Sequence, residues 1–249
     1  MTSDARRWLP YGAGRPDRVR LLCLPHAGAG ASAYRAWGAG LPSWIDVCPV
    51  QPPGRETRLT EPPYHEMGAL VADLAGALLG VLDGPYAVFG HSLGALVGYE
   101  LVREIRRRGG PAPVHVFVAG AAAPHLADPT PEAGQLTVEQ LADLLRTLGG
   151  TPSEILADAR VLTLFAPLFR ADLSVKETYR WTPEAPLEAP LTAFGADRDP
   201  RAGWEQVEAW RSRTAGGFTH QVLAGGHFAV LEQAALVHTH VRAALAEAG

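Results

Sequence analysis

The chain has 249 residues, enough for one large α/β domain or two small ones, and 47% of them are hydrophobic. With 19% charged residues, this composition excludes intrinsic disorder and collagen-like sequence, and a formal net charge of −4 supplies no basic field for nucleic acid. There is no apolar run of about 18 residues and no signal-peptide centre, so we expect a soluble cytoplasmic protein that binds no membrane. We also expect a monomer.

Short apolar runs alternate with longer helical patterns along the chain. Strands are predicted at 18–26, 46–51, 86–90, 114–120, 190–196 and 220–226, and helices at 65–82, 92–108, 204–213 and 234–246. Near-continuous apolar strands separated by helices are typical of a parallel sheet covered on both faces. The sequence therefore predicts an α/β fold, with a mostly parallel central sheet flanked by helices, in a single domain over 1–249.

One segment breaks this alternation. From about 129 to 182 the pattern is helical throughout, which is too long for a connection between neighbouring strands. An α-helical insertion at the carboxyl ends of parallel strands would overhang the ligand crevice found there. We therefore predict a lid over 129–182; the alternative is a helical hairpin that only extends the core.

The two cysteines suggest no chemistry. Cys23 and Cys48 lie in apolar, strand-like runs and form neither a disulfide framework nor a zinc-binding spacing. We predict that both are small buried hydrophobic residues. Nothing in the sequence resembles a metal site or a dinucleotide fingerprint, and no cofactor is expected.

The stretch "VFGHSLGALVG" contains the pattern G-x-S-x-G between a predicted strand and a predicted helix. A sharp strand–serine–helix turn exposes the hydroxyl of Ser92 at the top of the sheet and directs the helix N-terminus at the reaction centre. Gly90 and Gly94 would remove Cβ atoms that clash where strand and helix approach. The pattern thus predicts a nucleophile, although small-residue turns of this kind also occur without chemistry.

A serine nucleophile needs a base and a group that orients the base. After such an elbow the chain order is Ser, then Asp or Glu, then His. The late strand ends in "GADRDP", where we choose Asp199 over Asp197 because it lies farther into the loop and precedes a proline. The last strand ends in "AGGHF", which supplies His227 as the base.

The oxyanion of an acyl-transfer intermediate needs two backbone N–H donors. We assign these to Leu93, which follows the serine, and to Ala27 in the glycine-rich loop "PHAGAGAS" after the first strand. Three further side chains, His26, His91 and Phe228, adjoin these motifs and are predicted to line the substrate site. The other histidines fit a core or solvated role better than that of a base.

Taken together, the motifs identify the chain as similar to the type II thioesterases, the stand-alone editing enzymes of nonribosomal peptide and polyketide synthases. The similarity covers the whole chain through the blocks "LLCLPHAGAGASAYRAW", "VCPVQPPGRETRLTEPP", "VFGHSLGALVGYELVRE", "LFRADLSVKETYRW" and "PLTAFGADRDP". It implies an α/β-hydrolase fold with a flexible helical lid, and Ser92, Asp199 and His227 as the catalytic triad. It also implies a substrate acyl group that is thioester-linked to the phosphopantetheine arm of an acyl or peptidyl carrier protein.

Carrier proteins of this kind are acidic, so a local basic patch should matter more for docking than net charge. The run "REIRRR" ends the nucleophile helix on the side away from the serine, where arginines complement the helix dipole. Better candidates for docking lie on the loops above the sheet or on the insertion: Arg55, Arg58, Arg170, Arg198 and Arg201.

Two other functions remain open from the sequence. A carboxylesterase or lipase could use the same triad on an oxyester. A hydrolase-fold binding protein without catalysis is the other alternative, although such proteins usually lack a triad member and all three residues are present here.

Overall fold

A computed structural model describes residues 2–126, 135–151 and 153–247. Its centre is a sheet of six parallel strands, which are β1 (Val19–Leu24), β2 (Ile45–Pro49), β3 (Tyr86–His91), β4 (His115–Ala119), β5 (Leu191–Ala196) and β6 (Phe218–Leu223). Their spatial order is β2–β1–β3–β4–β5–β6. All six predicted strands are confirmed. The edge strand β6 begins at Phe218 rather than His220, because its half-exposed polar residues obscure the apolar pattern.

The helices follow the predicted alternation. They are α1 (Ser3–Trp8), α2 (Met67–Leu78), α3 (Leu93–Arg107), α4 (Val138–Leu148), α5 (Ser153–Ala157), α6 (Ala159–Glu177), α7 (Trp204–Glu208), α8 (Ala229–Glu232) and α9 (Ala234–Ala246). The predicted helix at 204–213 is divided into α7 and a 3₁₀ segment. In the part of the chain described, no helix combines the length and apolar character that a bilayer crossing requires.

Both faces of the sheet are buried, as the apolar strands predict. Successive strand residues point to opposite faces, so Leu22 and Val88 pack in the hydrophobic cluster that includes α2 and α3. Leu21 and Phe89 pack on the other face, in the cluster that includes α9. Cys23 and Cys48 are buried free thiols within these clusters, as predicted.

The strand order places the functional loops. β1 lies between β2 and β3. The chain therefore runs from β1 to β2 on one side of β1 and then crosses to β3 on its other side. In open parallel sheets, ligands bind in the crevice outside the carboxyl ends of the strands at such a reversal. The loops after β1 and β3, which carry "PHAGAGAS" and Ser92, therefore adjoin at this crevice.

The described part of the predicted insertion, between β4 and β5, contains the helices α4, α5 and α6. Residues 129–134 and 152 of that prediction lie outside the described residues. Where the structure describes it, the insertion has a small core of its own, formed by Leu141, Leu145 and Leu162 with neighbouring alanines. It packs on the carboxyl edge of the sheet, because Phe169 of α6 contacts Gly28 in the loop after β1.

The arginine run at the end of α3 is bound in ion pairs. Arg107 and Arg108 pair with Glu104, and Arg106 pairs with Glu184. At 1.5 Å per residue, the helix places this run roughly 20 Å from Ser92. As predicted, the run lies away from the candidate site.

Candidate active site

Ser92 occupies a strained turn between β3 and α3. Its φ is 56° and its ψ is −116°, a region that residues with a side chain rarely adopt and that costs about 1–3 kcal/mol. A Cβ on Gly90 would lie 2.2 Å from the carbonyl oxygen of Gly94, and one on Gly94 would lie 2.2 Å from the carbonyl oxygen of Leu24. Both glycines are therefore required by close backbone contact, as the sequence predicts.

We expect Gly94→Ala to lower the free energy of unfolding by about 1–3 kcal/mol or more, because the new Cβ would meet backbone atoms rather than a side chain that can move. Gly68→Ala in α2 is the matched control. A Cβ there meets nothing within 4 Å, and alanine favours helix by up to about 1 kcal/mol. Urea denaturation measures both; a Gly94→Ala variant as stable as the parent protein would contradict this packing.

The structure brings Ser92, His227 and Asp199 into one hydrogen-bonded chain. The Nε2 atom of His227 lies 2.9 Å from Ser92 Oγ, and its Nδ1 atom lies 2.9 and 3.0 Å from the two carboxylate oxygens of Asp199. The side chain of Asp199 is 0% exposed and that of His227 is 4% exposed. Since the carboxylate accepts a hydrogen bond from Nδ1–H, Nε2 is the basic nitrogen that faces the serine hydroxyl.

Asp197, the alternative acid, has a different role in the structure. Its Oδ1 atom accepts a hydrogen bond of 2.7 Å from the Gly225 N–H. Two backbone bonds join the same loops: the Asp197 N–H donates to the Leu223 carbonyl, and the Arg198 N–H donates to the Gly225 carbonyl. Asp197 thus fastens the loop after β5 to the loop after β6, and Asp199 contacts the histidine.

The rings of His91 and Phe228 contact the His227 ring, and His26 contacts both of them. The Nε2 atom of His91 lies 2.8 Å from the His227 carbonyl oxygen. His91 is 0% exposed, and that its side chain lines the substrate site stays a prediction. Phe228 makes edge contacts with the rings of His26 and His227, and a Cβ on Gly150 of the insertion would lie 2.6 Å from it.

The neighbouring imidazoles are held neutral. Burial, with smaller contributions from His227 and Arg55, lowers the pKa of His26 to about 4. Burial, together with His26 and His227, lowers the pKa of His91 well below its ordinary value. Near neutral pH, neither ring places a positive charge beside His227.

The predicted oxyanion donors lie at the two loops that adjoin at the crevice. Leu93 opens α3, and Ala27 precedes Gly28, which has a φ of 80°. Among the described residues, neither of these two amides has a hydrogen-bond acceptor. By contrast, the next amide of the loop, Gly28 N–H, donates to the Asp172 carboxylate of α6 at 2.7 Å.

Two of the arginines predicted to dock a carrier protein are buried. Arg55 is 5% exposed and forms an ion pair with Asp172, while Arg58 is 7% exposed and forms one with Glu61. The prediction is wrong for both, because their guanidinium groups are already bound inside the protein. Arg170 donates to the carbonyl of residue 136, and Arg198 and Arg201 are exposed beside Asp199.

The remaining histidines have structural contacts. His220 bonds Glu208 and stacks on Trp204, and His115 bonds Thr192. Within the described ranges, no group of histidine, cysteine and carboxylate side chains could hold a metal ion.

The parallel sheet, the serine elbow at its carboxyl edge and the helical insertion after β4 define an α/β-hydrolase fold. A thioesterase domain model matches residues 19–245, and the chain belongs to the thioesterase family. Members of the thioesterase family hydrolyse thioesters.

Individual relatives agree with this assignment. The gramicidin S biosynthesis protein GrsT of Aneurinibacillus migulanus is 39% identical, over 92% of this chain and 90% of its own. The thioesterase RedJ from the prodiginine pathway of Streptomyces coelicolor superposes with a TM-score of 0.86 at 40% identity, covering 94% of this chain and 90% of RedJ. The type II thioesterase BorB of the borrelidin cluster gives 0.88 at 33% identity, covering 98% and 99%. The resemblance to type II thioesterases is thereby confirmed.

Proposed function

We propose that the protein is an editing thioesterase, which removes acyl groups from the phosphopantetheine arm of acyl or peptidyl carrier proteins in polyketide or nonribosomal peptide synthesis. The observation that carries this proposal is the chain of bonds from Asp199 through His227 to Ser92, in a member of the thioesterase family. The biosynthetic origins of GrsT, RedJ and BorB support the choice of pathway.

The reaction follows from the roles of the three side chains. His227 Nε2 takes the proton of Ser92 Oγ as the oxygen attacks the thioester carbonyl. Asp199 holds the Nδ1–H tautomer and stabilises the imidazolium. The amides of Ala27 and Leu93 bind the tetrahedral oxyanion, and the imidazolium protonates the departing pantetheine thiolate. Water, deprotonated by His227, then hydrolyses the acyl-enzyme and releases the acid.

The insertion completes the proposed site as a lid. Helix α6 covers the loop after β1 at Gly28, and Gly150, which follows α4, lies against Phe228. We assign the acyl chamber to the space beneath these helices, with His26 and Phe228 on its wall. Arg198 and Arg201, exposed on the loop of Asp199, are the candidate contacts for an acidic carrier protein.

Substrate comparison tests the proposed function. We expect kcat/KM for an acyl-loaded carrier protein to exceed that for the matching acyl-pantetheine, because protein contacts add binding energy in the transition state. We also expect kcat/KM for the pantetheine thioester to exceed kcat/KM for its oxyester analogue. A panel of carrier proteins loaded with different acyl groups measures acyl and partner preference together. Preference for oxyesters would instead indicate a carboxylesterase, and no turnover of any ester would indicate a binding protein.

A further inference from the structure

The loop that carries Ala27 is held in place by side chains from elsewhere in the chain. The Gln51 Oε1 atom accepts from the Ala31 N–H at 3.0 Å, and Glu56 accepts from the Ser32 hydroxyl at 2.6 Å. These two supports come from the segment after β2. The third support, the Asp172 carboxylate on the Gly28 N–H, comes from α6 of the insertion.

Asp172 is held by a buried, two-point ion pair with Arg55. Arg55 Nη1 lies 2.5 Å from Oδ2 of Asp172, and Nη2 lies 2.8 Å from Oδ1. The two side chains are 6% and 8% exposed. Arg55 Nη1 also donates to the Ala29 carbonyl at 3.2 Å, so the same guanidinium contacts both the helix and the loop.

These contacts fix the peptide groups on both sides of Ala27. The Ala29 N–H donates to the His26 carbonyl at 3.1 Å and closes a turn around Ala27 and Gly28. Asp172 fixes the peptide after Ala27, and Arg55 fixes the carbonyl of Ala29. On the outside of the turn, a Cβ on Gly28 would lie 2.1 Å from the ring of Phe169, which leaves the loop little room.

We propose that Asp172 is a positioning residue, which together with Arg55 directs the Ala27 N–H toward the oxyanion and makes the docking of helix α6 a condition for an assembled oxyanion hole. This inference rests on the proposed function. An insertion that moves away from the sheet would take the carboxylate with it and leave the loop after β1 without its third support. Docking of the insertion and assembly of the oxyanion hole are thus linked through the ion pair between Arg55 and Asp172.

The first test is Asp172→Ala with an acyl-pantetheine thioester as substrate. Loss of one oxyanion donor typically lowers kcat by about 100-fold or more, and we expect a loss of that order with KM changed by less than about threefold. An alkyl trifluoromethyl ketone, which forms a hemiketal with Ser92, should lose affinity by the same factor as kcat/KM. The affinity of a non-hydrolysable thioether analogue should stay unchanged.

Tyr179→Phe is the matched control. The Tyr179 hydroxyl donates to Glu100 at 2.5 Å and so anchors the chain just after α6 to α3 rather than to the loop of Ala27. Like Asp172→Ala, the Tyr179→Phe substitution removes a buried, charge-assisted hydrogen bond. We expect a lower melting temperature but an unchanged kcat and an unchanged affinity for the ketone.

A double variant, Arg55→Met with Asp172→Leu, separates positioning from stability. Replacing both members of a buried ion pair with apolar residues often preserves folding, whereas removing one leaves a buried charge. We expect this variant to keep its fold and to lose kcat and ketone affinity as Asp172→Ala does. A folded double variant with unchanged kcat and ketone affinity would overturn the inference. The proposed function would still stand in that case, provided that the parent enzyme is active and Ser92→Ala is not.

Discussion

Ser92→Ala is expected to lower kcat for thioester hydrolysis by about 10⁴-fold or more, because no other group in the proposed mechanism can form the acyl-enzyme. His227 Nε2, 2.9 Å from the serine oxygen, would then face a methyl group. Steady-state release of pantetheine thiol measures the loss, and mass spectrometry of the enzyme mixed with substrate should show an acyl adduct on the parent protein alone.

Ser212→Ala provides the control for that experiment. Ser212 is exposed, and its hydroxyl donates to the carbonyl of Ala209 within the 3₁₀ segment that follows α7. Its kcat should equal that of the parent enzyme, and so should its melting temperature to within a degree or two. If Ser92→Ala hydrolysed the thioester as fast as Ser212→Ala, the covalent mechanism would be refuted.

Asp199→Asn should lower kcat by about 10⁴-fold, and Asp197→Asn should leave it within about twofold. An asparagine at 199 can donate to Nδ1 of His227, which favours the tautomer with a proton on Nε2 and blocks proton transfer from Ser92. At 197, the amide oxygen of asparagine can still accept from the Gly225 N–H, so the loop keeps its bond.

The pair of variants decides between two carboxylates that stand two residues apart in "GADRDP". Both replacements preserve size and remove one charge, so a general electrostatic effect on the histidine would make them similar. Equal losses of kcat for the two variants would therefore contradict the assignment of Asp199 as the acid.

Local patterns were sufficient to predict most of this fold. The strands are apolar runs whose residues fill both faces of the sheet, and Ser92, Asp199 and His227 each follow such a strand. Because parallel strands bring their carboxyl ends to one edge, residues that follow different strands meet there, although 135 residues separate Ser92 from His227. The order of motifs in the chain therefore predicted the contacts.

The misassignment of Arg55 has a physical reason too. The pairing of Arg55 with Asp172 leaves no local pattern in the sequence. It joins a loop to a helix across 117 residues, and arginines in loops are usually exposed, so sequence reasoning assigned Arg55 to a docking surface.

The bonds between the loops of Asp197 and Gly225 have a mechanical consequence. The acid and the base of the proposed triad are carried on these two loops, which three hydrogen bonds join into a single stiff unit. A deformation that shifts Asp199 therefore shifts His227 with it, and the 2.9 Å contact between them survives. The oxyanion loop is held separately, by Gln51, Glu56 and Asp172. Substitutions where that loop meets α6 can therefore change oxyanion binding while the proton-transfer geometry stays intact.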